Sequence, residues 1–466
     1  MCLFKALKIT LAISCIMLLS ACAYNVQYRT TYKECDTSYG NDPCHQNALE
    51  KFADPRRPEN DYLLGLIEFD EQGKLYDRQQ MYKVLDGLKE YAKSPSERSK
   101  NMVILTYIHG WMHNAEFDDS DVNHFRYTLK GISKLEYLAA KVQQRTPRKV
   151  AGIYIGWRGR SLEAPLIKYG TFWERKNTAQ EVGYGGVTEI LSRLEELRDA
   201  LPKLINESEG KTRLVIIGHS FGGAVVYSAL SEVFMQRFVA TKESPEKCSN
   251  VNALKDLVIL INPAFEAMCF ATLSDMANDV SRYCKEQLPV LAILTSETDW
   301  ATKYAFWAGR ALSTVAESHI TTERKNATTN ISEEISEGSA DRTAIGHFDP
   351  YQTHYLEYRE GTVSDDFDYD ALQKVKSGWD QDAPGKAIGF PGSLLKHLNN
   401  SISRNPYLVI KVDKRIIPDH GNFYDLRVTE FLRYLISLSI PPKKTNDANN
   451  KAESNDSSAY NSSPKK

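Results

Sequence analysis

Residues 213–230 read RLVIIGHSFGGAVVYSAL. A β-branched apolar run enters the segment and a small-residue run of helical character leaves it. Between them stands Gly218-His219-Ser220-Phe221-Gly222, a G-x-S-x-G turn. Ordinary glycine and serine usage produces such a match about 0.1–0.2 times in a chain this long, so the bare pattern is weak. Its place between a buried strand and a helix gives it weight. A serine on so sharp a turn needs strained dihedrals, which explains the glycines two positions to either side. Its hydroxyl would stand above the sheet, beside a helix N-terminus that favours developing negative charge.

Working outward, short apolar runs recur on both sides: YLLGLIEF (62–69), MVILTYI (102–108), VAGIYIG (150–156), LVILIN (257–262), PVLAIL (289–294) and YLVIKV (407–412). Continuous apolar character suits strands buried on both faces. Helical patterns at 78–93, 122–144 and 182–204 alternate with them, which predicts an α/β architecture with a mainly parallel sheet and helices on both faces. More than a hundred residues separate PVLAIL from YLVIKV, so a long insertion of about 301–400 precedes the last strand. Its part from 313 to 341 is rich in Ser, Thr, Asn and Glu and reads as a mobile surface loop, and the insertion as a whole as a lid or substrate wall.

These motifs resemble an α/β-hydrolase, over roughly 100–437 and in the family's order. The resemblance implies a catalytic triad in which Ser220 is the nucleophile. Strand MVILTYI ends in His109-Gly110-Trp111, similar to the family's HG-x turn, which implies oxyanion donors at the amides of Trp111 and Phe221, with His109 orienting the turn. The acid falls a few residues beyond PVLAIL, where Asp299 matches; the alternative for that residue is a helix N-cap, with Glu297 and Glu266 as substitutes. Five histidines follow Asp299: His319, His347, His354, His397 and His420. His420 lies between the last strand and a final amphipathic helix, as the family requires, and His347 is its competitor or a residue of the cleft. Trp111, Trp157 and Trp300 fall at carboxyl ends of strands, where they either wall a cleft or pack the core. Arg158 and Arg160 either recognise an anion or are ion-paired.

The chain opens MCLFKALKITLAISCIMLLSAC. Two lysines, an apolar run too short to span a bilayer comfortably, and Leu19-Ser20-Ala21-Cys22 resemble the bacterial lipobox. That implies a signal peptide of 1–21, lipid on Cys22, and a cell-envelope protein anchored to a membrane, with Ala23 after the cysteine favouring the outer membrane. Residues 22–60 are polar and read as a tether or irregular lead-in, 61–441 as the hydrolase domain, and 442–466 as a disordered tail. In an oxidising compartment Cys35 can pair with Cys44. Cys248 and Cys284 each precede a strand and would meet if those strands are parallel neighbours. No cysteine–histidine spacing points to zinc, and no metal or organic cofactor is expected. Lys plus Arg is 58 against 60 for Asp plus Glu, so no basic excess recommends nucleic acid as a partner. The reading is a serine esterase acting on an ester or acyl substrate. Thioesterase, amidase or acyltransferase chemistry would use the same residues, and a silent hydrolase-fold lipoprotein that binds an envelope partner is the rival from another class.

Overall fold

Each of the apolar runs is a strand. The computed structural model describes residues 26–38, 44–159, 176–204, 211–241, 248–251, 257–325, 332–361 and 367–438. In chain order these hold β1 (Thr31–Asp36), β2 (Asn47–Phe52), β3 (Tyr62–Glu68), α1 (Arg78–Lys93), β4 (Ser99–Ile108), α2 (Ser120–Val142), β5 (Arg148–Gly156), α3 (Thr188–Leu204), β6 (Arg213–His219) and α4 (Phe221–Val239). There follow β7 (Leu257–Ile261), α5 (Ala267–Asn278), β8 (Leu291–Ser296), α6 (Phe306–Ser313), β9 (Thr321–Lys325), β10 (Ser332–Ser336) and α7 (Glu337–Arg342). The chain then makes β11 (His354–Tyr358), α8 (Tyr369–Asp380), β12 (Ala387–Phe390), β13 (Ser393–His397), β14 (Tyr407–Val412) and α9 (Leu426–Ser437). The signal peptide, Cys22, Arg160 and the tail lie outside the described residues. Among those described, no helix is long and apolar enough to cross a membrane.

Twelve strands make one sheet in the order β1-β2-β3-β5-β4-β6-β7-β8-β14-β11-β13-β12, parallel from β3 through β11. Strand alternation splits the core into two layers. Ile104 and Ile108 of β4 face one side with Val84 of α1, Leu191 of α3 and Val225 of α4. Val103, Leu105 and Tyr107 face the other with Leu129 of α2, Val375 of α8 and Phe431 of α9. The chain leaves β4 for β5 on one flank and returns to β6 on the other. Successive crossovers therefore diverge above β4 and β6, and such a switch point opens a crevice at the carboxyl ends of the strands.

Three expectations are corrected. Residues 26–52 are not a loose tether where described: β1 and β2 extend the main sheet. Their polar residues misled because they pair with one another in the interior. The Arg29 guanidinium is fully buried and donates to Ala115 O (2.7 Å), Cys44 O (2.9 Å) and Glu50 Oε1 (2.9 Å), and Arg126 also binds Glu50. The insertion is not chiefly a lid. Its β11, β12 and β13 continue the sheet beyond β14, and the stretch read as a mobile loop contains an antiparallel β9–β10 pair followed by α7.

Cys35 is joined to Cys44, and Cys248 to Cys284. The second bridge follows from topology. β7 and β8 are parallel neighbours, so the segments entering them share one sheet end.

Candidate active site

β6 carries the chain to Ser220, which adopts φ 55° and ψ −120° before α4 begins at Phe221. A non-glycine residue there stores roughly 1–3 kcal/mol of strain. The turn survives because its neighbours over-determine it: Ser220 N donates to Ile261 O (3.0 Å), and Ser220 O accepts from Ala264 N (3.1 Å). A Cβ at Gly222 would strike the carbonyls of Ile108 and His109, so only glycine lets α4 dock on the end of β4. Helices α1, α2, α8 and α9 each start with an aspartate whose side chain caps the first turn. Ser220 caps α4 by position but makes no such side-chain bond, so its hydroxyl faces elsewhere.

It faces His420. Ser220 Oγ lies 2.8 Å from His420 Nε2, and His420 Nδ1 lies 2.9 Å from both carboxylate oxygens of Asp299. The His420 side chain is 28% exposed and Asp299 is sealed at 0%, so the imidazole bridges surface and interior. Asp299 also accepts from Ala301 N (3.0 Å), Thr302 N (3.2 Å) and the Thr302 hydroxyl. It is thus a helix cap and the histidine's partner at once. Burial alone would raise its pKa. The His420 ring and the hydrogen bonds from His420 and Thr302 outweigh that and hold the carboxyl below its ordinary value.

His347 enters this chain from behind. Its Nε2 lies 2.9 Å from Thr302 Oγ1, whose proton goes to Asp299, so the imidazole donates. Burial pushes its pKa down to about 4 and keeps it neutral near pH 7. It hydrogen-bonds Thr302, not Ser220, and so braces Asp299.

Two residues that sequence reasoning passed over fix the histidine. The His420 carbonyl accepts from His219 Nε2 (2.9 Å) and Asn262 Nδ2 (2.9 Å). Asn262 sits at φ 46°, a conformation asparagine tolerates, and its Oδ1 accepts from Ser296 N (2.9 Å). Ser296 Oγ donates to Ile417 O (2.6 Å) and Thr298 Oγ1 to Pro418 O (2.8 Å), so the acid loop and the histidine loop are stitched together. Asn262, closing LVILIN beside the serine turn, was the one visible signal.

The other expected site residues divide. His109 is fully buried; its Nε2 accepts from Trp157 N (3.0 Å) and its Nδ1 donates to Gly110 O (2.8 Å). Trp157 is 2% exposed, stacks on His109 and donates to His109 O (2.9 Å). Trp157 was a candidate wall of the cleft, and His109 a cleft candidate as well as the residue expected to orient the turn. Both frame the HG-x turn; Trp157 does so because the residue after a strand can fold inward as readily as outward. Burial pushes His109 down to about 4, so it stays neutral. The frame brings Gly110 so close that a Cβ there would sit 3.0 Å from Ser220 Cβ, which sets Trp111 alongside the serine turn. Trp111 packs half-buried against the core. Trp300, next to the acid, is 59% exposed, and Tyr304 and Trp307 continue an exposed aromatic strip at one-turn spacing. Arg158 is ion-paired with Glu71 at 2.5 Å. Glu266 is buried against Lys176 (2.5 Å) and Arg310 (2.9 Å), and Glu297 accepts from Lys414 N (3.2 Å). Neither substitute for the acid is a hydrogen-bond partner of His420.

Residues 179–378 match the model of a family described as an alpha/beta hydrolase of unknown function (DUF900). The chain has the α/β-hydrolase fold. The matched span takes in Ser220 and Asp299 and ends before His420. No curated protein matches the chain. Among solved structures, a crystal structure of an uncharacterized protein from Pseudomonas aeruginosa aligns at 11% identity and a TM-score of 0.21. That alignment covers 48% of this chain and 39% of the other, a likeness too slight to carry an argument.

Proposed function

We propose that this chain is a serine hydrolase that cleaves carboxylic esters through an acyl-enzyme on Ser220. The observation that carries the reading is the unbroken line from Ser220 Oγ through His420 to a buried Asp299, with 2.8 and 2.9 Å contacts. Ser220 attacks the ester carbonyl while His420 Nε2 takes its proton; Asp299 holds the proton on Nδ1 and stabilises the imidazolium. The amides of Phe221 and Trp111 receive the oxyanion, at roughly 3 kcal/mol of transition-state stabilisation per donor. His420 then protonates the leaving alkoxide. Water, activated by the same imidazole, releases the acid and restores Ser220. The exposed aromatic strip beside Asp299 favours an acyl or aromatic substrate. In this proposal lipid on Cys22 holds the enzyme to a membrane of a bacterial envelope.

A fluorophosphonate probe tests the chemistry. Wild type should label, and Ser220→Ala and His420→Ala should not; an unlabelled wild type would sink the proposal. Matched nitrophenyl ester, thioester and anilide substrates then rank the leaving groups, with the ester expected first. Metabolic labelling with a palmitate analogue should mark wild type and spare Cys22→Ser.

A further inference from the structure

At the far edge of the sheet two histidines and an aspartate converge. His354 of β11 and His397 of β13 are direct partners in an antiparallel ladder, so their side chains share one face. Asp382, just past α8, reaches the same point. All three are buried, and their ligand atoms lie within 4.8 Å of one another. We infer that His354, Asp382 and His397 bind one zinc ion, which ties the inserted strands together.

The decisive observation is a buried imidazole nitrogen without a hydrogen-bond partner, set beside a carboxylate and a second imidazole. The Thr353 hydroxyl lies 3.2 Å from Val409 O and 2.9 Å from His354 Nδ1; when it donates to the carbonyl, the imidazole donates to it. In that tautomer the remaining nitrogen, Nε2, carries a bare lone pair. It is buried, forms no hydrogen bond, and stands 3.5 Å from Asp382 Oδ1. Two acceptors facing each other in a dry interior call for a cation between them. Their separation is close to the ~3.4 Å edge of a tetrahedron with bonds of about 2.0–2.1 Å, the zinc–nitrogen and zinc–oxygen lengths.

The outer shell is also in place. Metal-bound imidazoles donate their second N–H to a fixed acceptor. His354 has Thr353 Oγ1, and His397 Nε2 has Ser401 Oγ at 2.8 Å. The second oxygen of Asp382 accepts from Arg404 N (2.8 Å). His397 Nδ1 lies 2.9 Å from Asp382 Oδ1; with zinc on Nδ1 the imidazole carries its proton on Nε2, toward Ser401. Two imidazoles and a carboxylate suit zinc, with water completing four-coordination. Asp382, His397 and Ser401 also repeat the spacing of a Ser–His–Asp triad. Ser401 is 1% exposed and sits on no strand-to-helix elbow, which disqualifies it as a second nucleophile. The enclosed site is structural: it links β11, β13, the turn after α8 and the 401–404 loop.

The full chain, purified without a polyhistidine tag, is dialysed and its metal measured by mass spectrometry. About one zinc per chain is expected. Chelation should remove it and lower the Tm by several degrees, and ZnCl2, not MgCl2, should restore both. Ser220→Ala should keep its zinc, whereas His354→Gln and Asp382→Asn should hold under a tenth. Should those variants fail to fold, CoCl2 added to stripped wild type must give the intense visible bands of four-coordinate cobalt, bleached by zinc. A wild type that neither contains nor takes up zinc, a cobalt spectrum without those bands, or folded variants with undiminished uptake would each overturn the assignment.

Discussion

Asp299→Asn keeps the size of the side chain and removes one acceptor. In the wild type Oδ1 accepts from Ala301 N and Thr302 N while Oδ2 accepts from the Thr302 hydroxyl, and both oxygens meet His420 Nδ1 at 2.9 Å. An amide has a single oxygen. The two backbone donors hold that oxygen at the Oδ1 position, which leaves the NH2 facing Thr302 Oγ1 and His420 Nδ1. Presented with a donor, His420 moves its proton to Nε2, the nitrogen 2.8 Å from Ser220 Oγ. A base that already holds a proton there cannot accept the serine's. The wrong tautomer costs about 10⁴ in kcat in serine hydrolases with this arrangement, which at 1.36 kcal/mol per decade is about 5.4 kcal/mol. The cap on the 301–305 turn remains, so the denaturation midpoint should move by no more than about 1–2 kcal/mol of stability. Steady-state hydrolysis of a nitrophenyl ester and the rate of fluorophosphonate labelling should fall together. If Asp299→Asn stays within tenfold of wild type while Glu266→Gln or Glu297→Gln collapses, the acid lies elsewhere and the tautomer argument fails.

Asn262→Ala should cost about 2–4 kcal/mol in chemical denaturation, because it strands Ser296 N, releases the His420 carbonyl and puts alanine at positive φ; its kcat should fall more than its KM rises. His109, His219 and His347 are each pushed down to about 4 by burial, with the His420 charge adding to the effect at His219. Unfolded imidazoles titrate near 6.5, so between about pH 6.5 and 4 the unfolded chain binds more protons. Stability is therefore full above that window and falls through it on acidification, by up to about 3 kcal/mol per group, as urea midpoints across the range would record. Replacing both Cys248 and Cys284 by serine opens a bridge spanning 36 residues, worth about 4 kcal/mol by loop entropy, and should lower the Tm without altering kcat at temperatures where the protein stays folded.

The sheet was legible because its central strands are buried on both faces and so read as unbroken apolar runs. The Ser220–His420–Asp299 contacts were legible because each residue follows the carboxyl end of one of those runs, in an order that topology constrains. Where reasoning failed, the deciding contact is non-local. Nothing in residues 26–52 announces that Arg29 and Arg126 both meet Glu50, so a polar composition passed for a tether. β11, β12 and β13 are four or five residues long and lie at the edge, without the apolar signature of β4 or β6. The tryptophans after β5 and β8 looked equivalent in sequence. Trp157 turned inward onto His109 and Trp300 turned out to solvent, a choice made by the neighbouring strand rather than by either residue.

Asp299 sharpens the same point. Its sequence context admitted two readings, acid or helix cap, as though they competed. One carboxylate makes both sets of hydrogen bonds, to the turn it caps and to His420, and the chemistry explains why they are compatible. The backbone donors of Ala301 and Thr302 fix the carboxylate from below, and Thr302, itself held by His347, binds the second oxygen. With these bonds made, the lone pairs aimed at His420 have a defined direction, which a freely rotating aspartate would lack. Capping therefore supplies the rigidity that the histidine's partner requires. This makes Thr302 the sensitive position behind the site: Thr302→Val preserves shape but removes the hydroxyl link, so it should loosen Asp299 and lower kcat while Ser220 stays in place.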